Sequence, residues 1–402
     1  MPRVLLLLPT ATYRATDFVA AAARLDVEVV VGSEHAQAMA DEMGDRAVVV
    51  PMSNRDAGVA AVLALHQRSP IDAVVGVDDV AIEIAATVGR ELGLTHTDPR
   101  AVAATRDKSR MRGLLAAGEV PQPRWLCADH PDEVARLAEA MGFPVVIKPV
   151  GLNASRGVIR ADDAAEATAA ARRVRAIVDG PILVEDYVPG VEVAVEALAR
   201  GAEGFDVLAV FDKPDPLVGP YFEETIYVTP SRLPDETVTR VSHLTRAAAR
   251  AIGIVDGPVH AELRIDRDRV SVIEVAARSI GGLCARTLSF GAGIALEELI
   301  LRHALGMPLD DAARHREHDA SGVMMLPIPH AGVLRAVGGQ DSARAVPGVT
   351  GLEITVPIGR RVEPLPEGDR YLGFLFAKGE QPAEVERALR AAHAALEIDI
   401  AD

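Results

Sequence analysis

Two glutamates, Glu262 and Glu274, stand in the stretch GPVHAELRIDRDRVSVIEVAARSIGG, residues 257–282, inside two runs that otherwise have the character of half-buried strands. HAELRID alternates with period two and VSVIEV is rich in β-branched residues, with the polar RDR cluster between them. A turn centred on Asp268 makes 266 face 270, 264 face 272 and 262 face 274. The two carboxylates then oppose each other on one face, roughly 5 Å apart at Cβ, where like charges destabilise. At an effective dielectric of 20 the repulsion is about 3 kcal/mol. Either the pair faces open water, or a cation sits between them; a Mg²⁺ ion with oxygen ligands at roughly 2.0–2.1 Å fits the gap. Arg278, four residues on, shares that face if the strand continues.

Three further stretches carry chemistry. Lys148 ends the apolar run FPVVIKP and precedes GLNASRGV, where Gly151, Ser155 and Gly157 let backbone N–H groups approach phosphate oxygens beside the lysine charge. An ordinary strand-end turn is the plain alternative. Lys108 lies in TRDKSRMR, which also suits an exposed helical lysine. ILVEDYVPGVEV has the form of a hinge strand, whose backbone at 185–188 could read an adenine edge while Glu192 accepts from ribose hydroxyls. An edge hairpin with surface acids is the competing reading.

The elements that must position these residues fall into a clear order. Up to about residue 104, RVLLLLP, VEVVVGS, AVVVPM and IDAVVGVDD are expected as buried parallel strands. FVAAAARL, HAQAMADEM, AAVLALHQR and AIEIAATVGREL are the helices between them. This is the pattern of a doubly wound parallel sheet, with GVDD at its ligand-facing edge. No GxGxxG is present. Beyond 105 come a helix over TRDKSRMRGLLAAG, a helix over PDEVARLAEAM, the FPVVIKP strand and a helix over ADDAAEATAAARRVRAIV. PILVEDYVPGVEVAVEAL reads as two strands joined at Pro189-Gly190, and a long helix over 235–253 precedes the glutamate hairpin. Residues 321–402 read as a small α+β cap.

At 402 residues the chain is long enough for two to four domains. Its net charge, 42 − 58 = −16, argues against a nucleic-acid partner. The opening MPRVLLLLPT has too short an apolar run for a membrane span and is expected as a first strand. Cys127 and Cys284 make no disulfide framework and no metal-ligand spacing, so a cytoplasmic protein is expected.

In RDKSRMR, FPVVIKPVGLNASRGVIRA, ILVEDYVPGVEVAVEAL and HAELRID followed by VIEVAARSIGG, the chain resembles the ATP-grasp superfamily, in its carboxylate–amine (L-amino acid) ligase branch. The four motifs come in that family's order between about 105 and 300, and the flanking segments look like its flanking domains. The resemblance implies an α/β and α+β multidomain chain. Residues 1–104 would form the N-terminal α/β domain, 105–190 a small lobe with a linking helix, 191–320 a large lobe with the metal site, and 321–402 the C-terminal subdomain.

Carried over, the resemblance makes Lys108 and Lys148 the nucleotide-phosphate lysines and Ser155–Val158, with Gly157, the loop that covers the phosphates. Glu185 and Val188 would flank the adenine and Glu192 would hold the ribose. Glu262 and Glu274 would be the Mg²⁺ (or Mn²⁺) carboxylates, and Arg278 would face the transferred phosphate and the substrate carboxylate. Ala276 stands where the superfamily commonly has a metal-binding asparagine, and the hairpin arithmetic puts His260 opposite it. Glu223 or Glu224 and His260 are candidates for the substrate wall. The implied reaction is phosphoryl transfer from ATP to a small-molecule carboxylate, then displacement of phosphate by an amine. Its partners are small molecules, and a homodimer is compatible with it. A carboxylase acting on bicarbonate and a non-catalytic nucleotide-binding module remain as alternatives.

Overall fold

The computed structural model describes residues 1–10, 12–37, 40–291, 293–317 and 319–401. Its first unit is a parallel sheet of β1 (Arg3–Leu7), β2 (Glu28–Ser33), β3 (Ala47–Val49) and β4 (Ala73–Gly76), in the order β3-β2-β1-β4. β1 is buried at all five positions, because helices cover both faces: α1 (Ala15–Arg24), α3 (Arg55–Arg68) and α4 (Asp79–Leu92). The helix expected over HAQAMADEM is shorter. It is α2 (Ala40–Met43), with Ala38 and Met39 outside the described residues. β4 turns into α4 within three residues, and a Cβ at Gly76 would lie 2.8 Å from the backbone of Ala81 and Ile82. That glycine lets the turn close, which sets Asp78 and Asp79 at the carboxyl edge of the sheet.

Helices α5 (Pro99–Thr105) and α6 (Lys108–Ala117) lead into the second unit, with the Asp107 side chain capping α6. Strands β5 (Trp125–Ala128), β6 (Val145–Pro149), β7 (Ile159–Ala161) and β8 (Ile182–Asp186) form an antiparallel sheet, order β5-β8-β6-β7. α7 (Pro131–Met141) and α8 (Ala164–Ile177) bury their alanine and valine faces against it.

β9 (Val191–Arg200) follows β8 after four residues but lies in a different sheet. The edge-hairpin reading of ILVEDYVPGVEV therefore fails, and Pro189-Gly190 is a crossing between lobes. Gly190 has φ +96°, and a Cβ there would fall 2.0 Å from the carbonyl of Ile265, so no other residue fits. β9 joins β10 (Phe205–Lys213), β11 (Ile226–Thr229), β12 (Asp256–Asp266) and β13 (Arg269–Ala276), with α9 (Asp235–Ile252) packed on them. A short ribbon, β14 (Ser289–Phe290) with β15 (Ile294–Ala295), leads into α10 (Leu296–Ala304).

Beyond α11 (Asp311–Arg314), the C-terminal segment is more intimately joined than a cap. β16 (Ala320–Leu326), β18 (Val349–Ile354) and β20 (Gly373–Gly379) extend the large sheet to eight strands, order β13-β12-β9-β10-β11-β16-β20-β18. β16 is buried at every position, which a strand inside a wide sheet satisfies. β17 (Gly332–Gly338), β19 (Arg361–Val362) and β21 (Glu397–Ala401) form a separate antiparallel sheet, with α12 (Gln340–Arg344) and α13 (Pro382–Ala394) completing the segment.

Candidate active site

The glutamate hairpin turns more tightly than its polar cluster implied. Asp266 pairs with Arg269, Ile265 with Val270, Arg264 with Ser271 and Leu263 with Val272, so these facing pairs differ by one residue from the expected register. Arg267, at φ +54°, takes the left-handed position of the two-residue turn. A β-bulge then inserts Ile273, and beyond it Glu262 pairs with Glu274 and His260 with Ala276. The expected facing of the carboxylates is real, but it is produced by the bulge. Side-chain period is two, so without the extra residue Glu274 would turn to the other face.

Both glutamates line a cleft of about 450 Å³ to which all the units contribute. Lys108 at the start of α6, Lys148 at the end of β6, Glu185, Val188, Glu192, Ser155, Val158, His260 and Arg278 line it as well. Gly157 instead donates its N–H to the carbonyl of Pro366 at 2.9 Å, anchoring the loop to the C-terminal segment. Glu223 lies in a separate small pocket beside Arg370 and Tyr371, whereas its neighbour Glu224 faces the cleft. Arg278 is not on the hairpin face, because β13 ends at Ala276. It reaches the cleft from the following loop, its Nε and Nη2 gripping both oxygens of Asp79 at 2.7 and 3.0 Å.

Glu185, Glu192, Glu224, Glu262 and Glu274 of the cleft each meet a cation. Lys148 meets Glu185 at 2.7 Å, and Arg112 forks onto the same carboxylate at 2.6 and 3.1 Å. Glu185 would be raised by burial, but Arg112 and Lys148 together hold it down to about 2. Burial lowers Lys148, helped by neighbouring Arg112 and Lys108. Lys108 contacts Glu274 at 3.1 Å and the carbonyl of Leu152 at 2.5 Å.

Lys213 is enclosed by Glu192 at 2.7 Å, Glu262 at 3.2 Å and Glu224. Burial and the Glu262 charge push Glu224 up to about 7, whereas Lys213 and His260 outweigh burial at Glu262 and keep it well below the usual carboxylate range. Arg264 holds Glu192 from the other side at 2.9 Å and the Val188 carbonyl at 2.5 Å. His260 bridges Glu196 at 2.5 Å and Glu262 at 3.4 Å. Burial alone would lower it, but the Glu196 carboxylate raises it to about 9. Glu196 also accepts from the Ile280 N–H at 3.0 Å.

Three family models match successive segments: the ATP-grasp N-terminal domain over residues 19–96, the ATP-grasp domain over 141–287 and the L-amino acid ligase C-terminal domain 2 over 324–401. The chain belongs to the ATP-grasp superfamily. An L-amino acid ligase from Bacillus licheniformis has the same fold throughout, with TM-score 0.85, 25% identity, and coverage of 100% of this chain and 99% of that one. An uncharacterized protein of Sinorhizobium fredii is 27% identical over 70% of this chain and 59% of its own length. An alanine–anticapsin ligase of Bacillus subtilis is 24% identical over 58% of this chain and 53% of its own. The chain thus spans little more than half the length of these curated relatives. The ATP-grasp family binds ATP. Among the described residues no helix is long and apolar enough to cross a membrane.

Within this ATP-grasp frame, four residues that sequence reasoning did not assign hold the cleft together: Arg112, Glu196, Lys213 and Asp79. Lys213 carried a signal that could have found it. It ends the strand VLAVFDKP as Lys148 ends FPVVIKP, in both cases directly before a proline. Asp79 lay in GVDD, at the sheet edge already expected to face the ligand. Arg112 and Glu196 left no such mark, since only the packed fold brings them to the hairpin.

Proposed function

We propose that the chain is an ATP-dependent carboxylate–amine ligase that joins two small molecules, amino acids in the first instance, into an amide or peptide. The observation that carries this is a single cleft in which two lysines, two facing glutamates and Arg278 converge. In this reading Lys148 and Lys108 bind the phosphates, Glu185 and Val188 the adenine, Glu192 the ribose, and the Ser155–Val158 segment covers the phosphates. Glu262 and Glu274 offer hard carboxylate oxygens on one face, with 18% and 30% of their side chains exposed, and so fit Mg²⁺ or Mn²⁺. The ion would supply charge neutralisation on the phosphate oxygens.

Arg278 orients the substrate carboxylate, and its grip on Asp79 supports this, since the guanidinium already holds a carboxylate in bidentate geometry. A carboxylate oxygen attacks the terminal phosphorus, and the bond to the ADP oxygen breaks. The amine nitrogen then attacks the acyl carbon, phosphate leaves with the bonding pair, and the nitrogen gives up one proton. The chain's task is positioning and exclusion of water from the acyl phosphate. We also propose the domain division 1–104, 105–190, 191–320 and 321–402, and a cytoplasmic location.

The test is phosphate release over all pairs of amino acids, with chromatography of the nucleotide product. ADP and a ligated product are expected. AMP as the main product removes the reading, and ATP turnover stimulated by bicarbonate but by no amine replaces it with carboxylation.

A further inference from the structure

Arg112 is fully buried, and all five of its N–H donors are used. Nε and Nη2 reach the two oxygens of Glu185, and Nη1 also meets the Gln122 side-chain oxygen at 3.4 Å. The remaining two go to backbone: Nη1 to the carbonyl of Val272 at 3.1 Å and Nη2 to that of Ile273 at 2.7 Å. Those carbonyls belong to the bulge itself. β13 is the outermost strand of its sheet, so among the described residues no strand holds its outer edge. Beside Arg112, the Pro121 carbonyl accepts from the Val272 N–H at 2.9 Å. One helical turn earlier on α6, Lys108 contacts the Glu274 side chain. One face of α6 therefore grips both the backbone of the bulge and the carboxylate that the bulge turns inward.

We propose that Arg112 is a positioning residue for the metal–nucleotide site: by holding the Ile273 bulge it keeps Glu274 on the face of Glu262. The proposal rests on the reading of Glu262 and Glu274 as metal ligands. Lysine could keep the charge beside Glu185, but its single ammonium cannot span two carbonyls and a carboxylate. Arg112→Gln removes the charge, and Lys148 still neutralises Glu185, so that variant is expected to fold.

Mn²⁺ binding to the full chain with ADP, followed by electron paramagnetic resonance, is the primary measurement. Hydrogen exchange at residues 270–276 in the nucleotide-free chain is the second. Loss of an orienting partner costs metal sites roughly 10–100-fold in affinity. Arg112→Lys and Arg112→Gln are expected to weaken Mn²⁺ by that factor and to speed exchange at the bulge, while remaining folded. A purely structural arginine would lower the thermal midpoint and leave Mn²⁺ affinity and local exchange as in wild type. Wild-type Mn²⁺ affinity in either folded variant overturns this proposal alone. A wild-type chain that binds no Mn²⁺ with ADP overturns it together with the metal-site reading.

Discussion

Replacing Glu262 and Glu274 in turn with glutamine separates a metal clamp from a solvated acidic face, and the structure makes the two replacements unequal. Opposed carboxylates would repel by about 3 kcal/mol if left bare, but each meets a lysine, Lys213 at 3.2 Å for Glu262 and Lys108 at 3.1 Å for Glu274. Neither change should therefore stabilise the free chain. Glu262 also takes His260 and has 18% of its side chain exposed, so Glu262→Gln gives up a charged hydrogen-bonding partner worth about 1.5–3 kcal/mol. Lys213 and His260 keep Glu192, Glu224 and Glu196, so no buried cation is orphaned. At 2–4 °C per kcal/mol for domains of ~150–250 residues, the midpoint should fall by on the order of 5 °C. Glu274→Gln removes the carboxylate that meets the buried Lys108 and leaves that ammonium the Leu152 carbonyl and a neutral amide, so it should cost more, up to ~3–5 kcal/mol. Turnover behaves differently: either change should abolish Mg-ATP-dependent phosphate release, and the double variant should be no worse, because residues acting as a unit are non-additive. Thermal midpoints without nucleotide and phosphate release with Mg-ATP, on both single variants and the double, check this. Retained turnover in Glu274→Gln, or equal midpoint losses in the two single variants, refutes the reasoning.

Lys148→Ala should weaken ATP binding by about 1.5–3 kcal/mol, measured by calorimetry. It should also destabilise the chain, since Lys148 is buried against Glu185, though by less than the ~3–5 kcal/mol of an orphaned charge because Arg112 remains. Asp79 is held down to about 2 from 3.8, with burial opposing and Arg278 prevailing. Its depressed carboxyl adds roughly 2 kcal/mol above pH ~4, lost as pH falls through about 2, so in urea titrations the gap between wild type and Asp79→Asn should narrow over that range. Lys213→Met leaves three acids with oxygens within 4.8 Å of one another, and should cost ~3–5 kcal/mol in urea unfolding.

The alternation of HAELRID and VSVIEV was enough to place the hairpin, since a half-buried strand exposes its period directly. Its turn was legible only to within a residue, because DRDR offers several polar turn centres. The expected facing of Glu262 and Glu274 came from a turn placed one residue too wide, and the unseen bulge compensated. That bulge is held by Arg112, 160 residues away, so no local signal marks it. Arg278 shares the hairpin face only if the strand continues, and nothing in VIEVAARS marks the strand's end at Ala276. The choice between Glu223 and Glu224 depends on which adjacent side chain turns inward, which a loop pattern does not fix. The parallel strands of the first 104 residues were readable because burial on both faces demands uninterrupted apolar runs.

The same tertiary pairing explains how a chain of net charge −16 can present a site for a polyanion. Its overall field opposes the approach of a nucleotide, so capture must depend on cations fixed inside the cleft. Lys148, Lys108 and Arg278, which line the cleft, are each already paired in the free chain, with Glu185, Glu274 and Asp79 respectively. In the proposed reaction the incoming phosphates and carboxylate would therefore share or exchange partners instead of meeting bare charge. Buried cations held this way keep their geometry without ligand, which is what positioning catalysis requires. The acids that lend this order also set its limit, because each must remain balanced when its cation turns to the nucleotide. At Glu262 and Glu274 the natural balance is a divalent ion arriving with the phosphates, so metal and nucleotide should bind more tightly together than either does alone.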